Sequence, residues 1–238
     1  MVKNHLKRIF VPKTWPILRK AEKFITRPLP GGHKIEHSLP LVVVLKDLLG
    51  IAKTTREVKY IFQNEEVLVN GKRKKRPEDS LGLMDVLTFP KIKTSYRLMI
   101  TSRNVLSTLL VTGEEANTVP CKLKNKKSLK KGIIQLNFHN GMSLLMPVLE
   151  AKKYALGDTL LIGFDNKIKK HLSLETGATV LFIKGSHIGK LADVKSRNNT
   201  MIKVVAKQKS GEEDSFETKR AYAFVVGKNG KSELKLLD

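Results

Sequence analysis

The chain has 238 residues, 41% of them hydrophobic, which is enough for one large packed domain or two to three small ones. Its 45 lysines and arginines outnumber 22 acidic residues, and the formal charge of +23 favours a polyanionic partner, either nucleic acid or an anionic membrane. The sequence offers neither an apolar run of about 20 residues nor a wide amphipathic helix, so a membrane partner is disfavoured.

The amino terminus and the cysteine content indicate the compartment. The segment MVKNHLKRIFVPK lacks the apolar core of a secretory signal, so we expect a cytoplasmic protein. The single cysteine, Cys121, cannot form an intramolecular disulfide, and no Cys-x-x-Cys pair is available for zinc. We interpret Cys121 as a small buried hydrophobic residue and expect no metal or cofactor.

Residues 1–40 mix cations with prolines and glycines and lack a long helical periodicity. This pattern predicts an extended basic arm with one short helix near 15–24. Trp15 in this arm either stacks on an unpaired base or docks on its own protein, and we favour docking. His33 and His37 are four residues apart, but Gly31 and Gly32 precede them and no third ligand is evident, so phosphate or solvent contact is favoured over metal binding.

Two helices are predicted next. Residues 38–50 carry an apolar run after a serine and a proline, and Gly50 can end the helix in a left-handed conformation. In the following helix Thr54 and Glu57 have the spacing of a capping box, ahead of an apolar face. Arg56 and Lys59 on this helix lie on either a solvated face or an RNA-binding face.

A hairpin with a dense block of cations follows the helices. Asn70-Gly71 favours a two-residue turn with positive φ at both positions, so the five cations at 72–76 are expected to begin the return strand. Such a block is usually a solvated tail. Here the turn precedes it and Pro77 with a strand-like segment follows, so we interpret it as an ordered surface for phosphate contacts.

From about residue 95 the sequence predicts short strands separated by turns, which is typical of one or two small β-barrels with a boundary near 170. The lysine-rich stretch between two of these strands is expected to be a loop that is solvated or contacts RNA; its cations are Lys122, Lys124, Lys126, Lys127, Lys130 and Lys131. Asp85 and Glu150 lie among apolar residues, and we favour a turn or cap role over catalysis for both.

The stretch GATVLFIKGSHIGKLADVKSR at 177–197 resembles a KOW motif, the strand-loop-strand of SH3-like barrels. Residues 41–105 resemble the S4-type RNA-binding domain. The segments HLKRIFVPKTWPI, RPLPGGHK, SLPLVVVL, GLMDVLT and SFETKRAYAFVVGK occur in the order found in the S4e family of small-subunit ribosomal proteins from archaea and eukaryotes. The chain ends soon after FVVGK, as in archaeal members.

This resemblance implies an α+β fold and a function. The implied parts are a basic N-terminal arm (1–40), an S4-type RNA-binding domain (41–105), a central β domain (106–170), a KOW SH3-like barrel (171–212) and a C-terminal segment (213–238). The implied role is a structural constituent of the 30S subunit that binds 16S-type ribosomal RNA directly, beside neighbouring small-subunit proteins. No small-molecule substrate, membrane contact or catalysis is expected.

The residues expected to contact RNA are mostly cations of the arm, the second helix, the hairpin and the KOW loop. They are His5, Lys7, Arg8, Lys13, Trp15, Arg19, Lys20, Lys23, Arg27, His33, Lys34, Lys53, Arg56, Lys59, Lys72, Arg73, Lys74, Lys75, Arg76, Lys184, His187, Lys190, Lys195 and Arg197. The loop residues Lys184, His187 and Lys190 could equally contact a neighbouring protein.

Two other functions remain open. An RNA-modifying enzyme of the pseudouridine-synthase type could use residues 41–105 to dock its substrate, but it would need a catalytic domain with an acidic residue in a pocket. A transcription or translation factor could use the KOW barrel to bind a polymerase or to visit the ribosome transiently.

Overall fold

The computed structural model describes residues 5–198, 200–207 and 213–236. These residues form two compact units, one containing 5–100 and 104–119, the other containing 101–103 and the described residues from 120 onward. Strands predominate in both units and helices are short. This arrangement is consistent with the expected α+β class.

The first unit contains one five-stranded antiparallel sheet and two short ribbons. Its elements are β1 (Leu6–Lys7), β2 (Phe24–Ile25), β3 (Ser38–Pro40), α1 (Leu41–Val43), α2 (Thr55–Asn64), β4 (Val67–Val69), β5 (Lys72–Lys74), β6 (Ser80–Gly82), β7 (Val86–Phe89), β8 (Thr94–Ile100) and β9 (Leu106–Val111), with 3-10 turns at Arg8–Phe10, Ile35–His37 and Gly113–Asn117. The sheet order is β5-β4-β7-β8-β9, and the ribbons are β1-β2 and β3-β6.

The second unit contains a five-stranded and a six-stranded sheet. Its elements are β10 (Thr118–Ser128, whose first two residues belong to the first unit), β11 (Ile133–Phe138), β12 (Ser143–Pro147), α3 (Val148–Ala151), β13 (Thr159–Gly163), β14 (Ile168–Leu172), β15 (Ala178–Phe182), β16 (Leu191–Arg197), β17 (Met201–Lys207), β18 (Glu213–Lys219), β19 (Ala223–Lys228) and β20 (Lys231–Ser232), with 3-10 turns at Lys130–Gly132 and Arg220–Tyr222. The sheet orders are β12-β11-β10-β13-β14 and β18-β17-β16-β15-β19-β20.

The two predicted helices are present, but Ser38 and Pro40, expected to cap and begin the first one, lie in strand β3, and the helix begins at Leu41 with no side-chain cap. The run Leu41–Leu45 is fully buried and forms α1 with the π-helical turn Val44–Leu48, and Gly50 at φ +63° follows it. Helix α2 begins directly after Thr54 with the predicted capping box, in which the Thr54 side chain accepts from the Glu57 N–H and the Glu57 side chain accepts from the Thr54 N–H. The predicted cap and apolar face of α2 are therefore confirmed.

The helix predicted near 15–24 is wrong. This stretch contains turns and the two-residue strand β2. Its side chains form hydrogen bonds to backbone groups elsewhere in the arm. The Arg19 guanidinium donates to the carbonyls of Val11 (3.3 Å) and Pro12 (3.2 Å). The Trp15 indole N–H donates to Ile35 O at 3.1 Å. A single short helix gains little by itself, so these tertiary contacts decide the conformation.

The predicted boundaries near 105 and 170 fall inside sheets. Strand β9 pairs with β8 along its whole length, from Ser95↔Val111 to Ile100↔Leu106, so the first sheet continues past residue 105. Residue 170 lies within β14, which pairs with β13. Position 105 therefore lies between two paired strands and position 170 within one, and the division of the chain into these domains stays a prediction.

The lysine-rich stretch from 122 is not a loop. Residues Thr118–Ser128 form β10, the longest strand in the described parts of the chain, and only Lys130 and Lys131 lie in the turn before β11. The high charge of this stretch favoured a loop in the prediction. The alternate residues Val119, Cys121 and Leu123 are nevertheless buried, and their burial stabilises the strand. Cys121 is buried, as predicted.

Candidate nucleic-acid interface

The cations of the hairpin lie on an edge strand. Strand β5 pairs only with β4 in its sheet, and its register is Val67↔Lys74, Leu68↔Arg73 and Val69↔Lys72. Asn70 (φ 50°) and Gly71 (φ 75°) form the predicted turn with positive φ at both positions. Charged side chains on an edge strand also prevent pairing with another chain.

The block is tied at both ends, as predicted, but it does not point in one direction. Because cross-strand partners share a face, Lys72 and Lys74 lie on the face of buried Val69 and Val67, whereas Arg73 lies on the opposite face. Lys74 is half-buried, and the other four cations are exposed. Beyond the block, Pro77 is buried and its carbonyl accepts from the Val42 N–H at 3.0 Å.

Helix α2 presents a second cationic surface. Lys53, Arg56 and Lys59 are exposed, whereas Val58 and Phe62 pack inward. Tyr60 is 67% exposed on the same outer side of α2. It follows Arg56 by four residues, so the two side chains are neighbours on the helix surface. Sequence reasoning missed Tyr60, because an aromatic residue next to Ile61 and Phe62 is read as part of the core; its position off the apolar face was the available signal.

Several arm residues expected to contact RNA instead hold the arm together. Arg8 is buried, and its guanidinium donates to Leu18 O at 3.0 Å. Trp15 is 3% exposed, so its indole cannot stack on a base, and the preferred docking alternative is confirmed. Arg19 is half-buried and bonded to backbone carbonyls of the arm. A guanidinium with several fixed donors is well suited to cross-linking backbone that lacks regular secondary structure.

His33 is also part of the packing. Its side chain is 7% exposed and its Nε2 lies 3.2 Å from Oδ2 of Asp85. Asp85 also accepts from the Gly82 N–H (2.8 Å) and from Nδ2 of Asn70 (2.8 Å). The Asp85 carboxylate thus closes the turn between β6 and β7 and binds the arm, which confirms its turn role and removes His33 from the accessible RNA-contact set.

Burial by itself raises the pKa of Asp85. The hydrogen bond from His33, the charge of that ring, and the N–H groups of Asn70 and Gly82 outweigh burial and hold the pKa below its usual range. The described residues contain no group of three or more side chains able to bind a metal. None of the described helices is long and apolar enough to cross a membrane.

The loop after β15 is docked on its own unit. The His187 ring stacks on Phe216 with centroids 3.7 Å apart and an interplanar angle of 15°. Gly189 has φ +72°, and a Cβ there would meet the backbone of Thr101 and Ser102. Lys190 is exposed and Lys184 is half-buried. The loop therefore offers cations on a fixed base, with His187 only partly accessible.

The remaining predicted cations are exposed, with one reservation for β16. Arg197 is exposed but donates to Leu174 O at 2.7 Å, so its guanidinium also braces the chain. The other exposed members are His5, Lys7, Lys13, Lys20, Lys23, Arg27, Lys34 and Lys195. These side chains are accessible to a polyanion.

Among the lysines of β10, Lys122 behaves differently from its neighbours. It is buried, and its ammonium donates to the carbonyls of Arg220 (3.1 Å), Ala221 (2.9 Å) and Ala223. Burial lowers the pKa of Lys122 to about 7, and the Arg220 charge adds to the lowering. Lys126 donates to Ala151 O at 2.6 Å, so neither of these two lysines is a free surface charge.

Comparisons with known proteins cover nearly the whole chain. Residues 92–169 match the Ribosomal family S4e and residues 2–36 match the RS4NT domain. The small ribosomal subunit protein eS4 of Methanocella arvoryzae is 36% identical over 234 residues, which is 96% of each chain. The protein of the same name from Methanocaldococcus jannaschii is 36% identical over 94% of each chain.

A solved structure shares the fold. The crystal structure of the 30S ribosomal protein S4e from Thermoplasma acidophilum superposes with a TM-score of 0.67, covering 82% of this chain and 98% of that one, at 23% sequence identity.

Proposed function

The chain belongs to the ribosomal S4e family, and from that premise we propose that it is a structural constituent of the small (30S) ribosomal subunit that binds ribosomal RNA directly. Its partners are a 16S-type ribosomal RNA and neighbouring small-subunit proteins, and its place is the cytoplasmic ribosome. It supports translation by stabilising folded RNA and carries out no reaction of its own.

The observation that supports direct RNA binding is the cationic surface of β5 and α2. Lys72, Arg73, Lys75 and Arg76 lie on or directly after β5, which is held by its pairing with β4, and the exposed cations of α2 lie opposite its buried Val58 and Phe62. Such a surface is ordered before RNA arrives, so less side-chain and backbone entropy is lost on binding. Each phosphate contact releases condensed counterions, which makes binding strong and dependent on salt.

Folded RNA can be recognised by this surface without sequence readout. A-form helices present phosphates and 2′-hydroxyls, and their deep major groove is closed to side chains. Arginine and lysine contacts fix the register of a protein on such a scaffold. The net charge of +23 is then neutralised by burial against RNA.

We assign the parts of the chain on the same premise. Residues 41–105 act as the S4-type RNA-binding domain, and residues 171–212, which contribute β15 to β17 to the six-stranded sheet, act as the KOW SH3-like barrel. Lys190 and Lys195 of that sheet contact either RNA or a neighbouring protein, and Lys184 does so through its accessible part.

Co-sedimentation tests this function. The tagged chain, expressed in an archaeal host, should sediment with small subunits in about one copy each and remain bound through a moderate-salt wash. Release by a gentle wash would favour a transient factor. Modified nucleosides formed in ribosomal RNA incubated with the purified chain would favour an enzyme. Either result would overturn the structural role.

A further inference from the structure

The arm borders an open cavity that lies apart from the cationic surfaces of β5 and α2. Its volume is about 680 Å³, and its lining includes His5, Phe24, Arg27, Leu29, His33 and Glu78. A cavity of this size is in the range of sites for small organic ligands. It is formed by the β1-β2 ribbon and the following proline-rich segment, which is fixed by the Leu29 N–H bonding to Glu78 O at 2.9 Å.

The rim of the cavity is aromatic and cationic. Phe24 is 47% exposed, and its ring centroid lies 5.5 Å from that of His5. The Lys23 ammonium lies 5.5 Å from the Phe24 centroid, and Arg27 is exposed three residues further on. The Lys23 ammonium lies over the Phe24 ring, so a base stacks there when this flexible side chain moves from the ring to a flanking phosphate.

The lining also contains an acid. Glu78 is half-buried, and within the described parts of the chain its carboxylate has no hydrogen-bond or ion-pair partner. A carboxylate has two acceptor oxygens and no donor when ionised. Guanine presents two adjacent donors, N1–H and N2–H, on its Watson–Crick edge, whereas adenine presents one donor beside an acceptor.

We propose that this cavity binds one unpaired guanine base of RNA, stacked at Phe24 and read by the Glu78 carboxylate. The inference rests on the proposed function, because it identifies which part of the RNA the arm takes. Proteins that read extruded bases combine stacking with hydrogen bonds to the Watson–Crick edge, and unpaired bases of loops and bulges are available for this. The cations Lys23 and Arg27 supply the complementary charge for the backbone.

Nuclear magnetic resonance titration of the full chain tests the site. The probes are the 5′-monophosphates of guanosine, adenosine and uridine, with ribose 5-phosphate as the control for phosphate binding alone. Guanosine monophosphate should shift the amide signals of Leu6, Ile25 and Leu29 saturably and bind more tightly than adenosine monophosphate by about fivefold or more, since one good bidentate contact discriminates by at least that factor. Ribose 5-phosphate should not shift these signals.

Matched variants separate the two contacts. Glu78→Gln should remove the preference for guanosine, whereas Glu22→Gln, an exposed acid of the arm outside the cavity, should leave it unchanged. Phe24→Leu should weaken all three nucleotides by about fivefold or more. Phe10→Leu, a 73% exposed ring with its own lysine 5.9 Å away, should have no effect.

Several results would overturn the inference. Absence of saturable shifts with guanosine monophosphate would mean that the cavity does not bind the base. Equal binding of ribose 5-phosphate and guanosine monophosphate would mean that the cavity attracts only the phosphate. Equal effects of Glu78→Gln and Glu22→Gln, or of Phe24→Leu and Phe10→Leu, would mean that Glu78 or Phe24 does not contact the base. If nucleotides fail to bind while the chain still sediments with small subunits, this inference fails and the proposed function stands. If guanosine monophosphate binds but the chain does not sediment with small subunits, the cavity binds the base and the proposed function fails.

Discussion

Nε2 of His33 lies 3.2 Å from Oδ2 of Asp85, and both side chains are only 7% exposed. The contact joins the N-terminal arm to the turn between β6 and β7. Gly82 is essential to it, because a Cβ at that position would overlap the His33 ring. The sequence predicts that His33 contacts phosphate or solvent, but in the structure its contact with Asp85 holds the arm against the rest of the first unit.

Replacing Asp85 by Asn should destabilise the first unit at pH 7 by about 1.5–3 kcal/mol, the usual worth of hydrogen bonds to a charged acceptor, because the Asn70 and Gly82 donors lose their carboxylate. The pKa of Asp85 is lowered in the fold, so its stabilisation is complete above the unfolded pKa of about 3.9 and is lost as the pH falls through the folded pKa. Denaturant unfolding from pH 7 to pH 2 measures this.

The wild-type protein should therefore lose more stability below about pH 4 than Asp85→Asn does. Asp47→Asn, at an exposed aspartate of the same unit, is the control and should unfold as the wild type at pH 7. Parallel pH profiles for wild type and Asp85→Asn would show that the carboxylate is not held ionised by His33.

Stability should rise with pH through the titration of Lys122. Its pKa is lowered to about 7, so between pH 7 and about 10.4 the unfolded chain binds more protons than the folded one, and unfolding becomes harder as the pH rises. Lys122→Met should remove this rise while lowering stability at pH 7, because three carbonyls lose their donor.

The measurement is the free energy of unfolding at pH 7, 8.5 and 10. The three carbonyls favour the charged ammonium and oppose the effect of burial, so the difference between variant and wild type is expected at about 1–3 kcal/mol over this range. The exposed Lys124, changed to Met, is the control. A wild-type slope equal to that of Lys122→Met would mean that the buried amine keeps its ordinary affinity for protons.

Changing the four exposed cations of the hairpin block to Gln should weaken binding to a ribosomal RNA fragment. The fourfold variant (Lys72, Arg73, Lys75 and Arg76) should also reduce the slope of log affinity against log salt by about 3, since each phosphate contact contributes about 0.7–0.9. Filter binding at several salt concentrations between about 50 and 300 mM measures the slope, because salt screens charge–phosphate contacts over this range.

The control for this prediction carries the same loss of charge elsewhere. Lys152, Lys153, Lys167 and Lys228 are exposed in the second unit and outside the expected contact set, and they are changed to Gln together. An equal loss of slope in both variants would mean that only the net charge matters. An unchanged slope in the hairpin variant would place the block in solvent.

Substituting Gly189 by Ala should destabilise the second unit more than substituting Gly132. Both glycines have positive φ, which costs a side-chain-bearing residue about 1–2 kcal/mol. At Gly132 a Cβ meets open space, whereas at Gly189 it meets backbone of Thr101 and Ser102, which cannot move as a side chain can. Thermal unfolding of the two variants compares them, and equal melting temperatures would show that the loop is not packed there.

Much of the local structure followed from the sequence. The Asn70-Gly71 turn, the capping box of α2 and the glycine after α1 were predictable because each depends on residues within four positions of one another. The family also followed, since motifs in a fixed order survive changes of the residues between them. The S4-type and KOW assignments stay predictions.

The candidate site was only partly predictable. Charge identified cations that are exposed on α2 and β5, but charge alone did not distinguish them from Arg8, Arg19 and Lys122, which bind backbone carbonyls. A guanidinium or ammonium satisfies several acceptors at once, so a basic protein with little regular structure in its arm uses some cations as internal donors. Which ones do so depends on contacts between segments far apart in sequence.

The sequence by itself determined the partner class, the family and the turns, because net charge, motif order and short-range backbone preference are properties of the chain. The tertiary structure decided which cations remain available, that Trp15 and His33 face inward, and that Phe24 and Glu78 line one cavity. Burial and long-range pairing arise only when distant segments meet, so no local pattern encodes them.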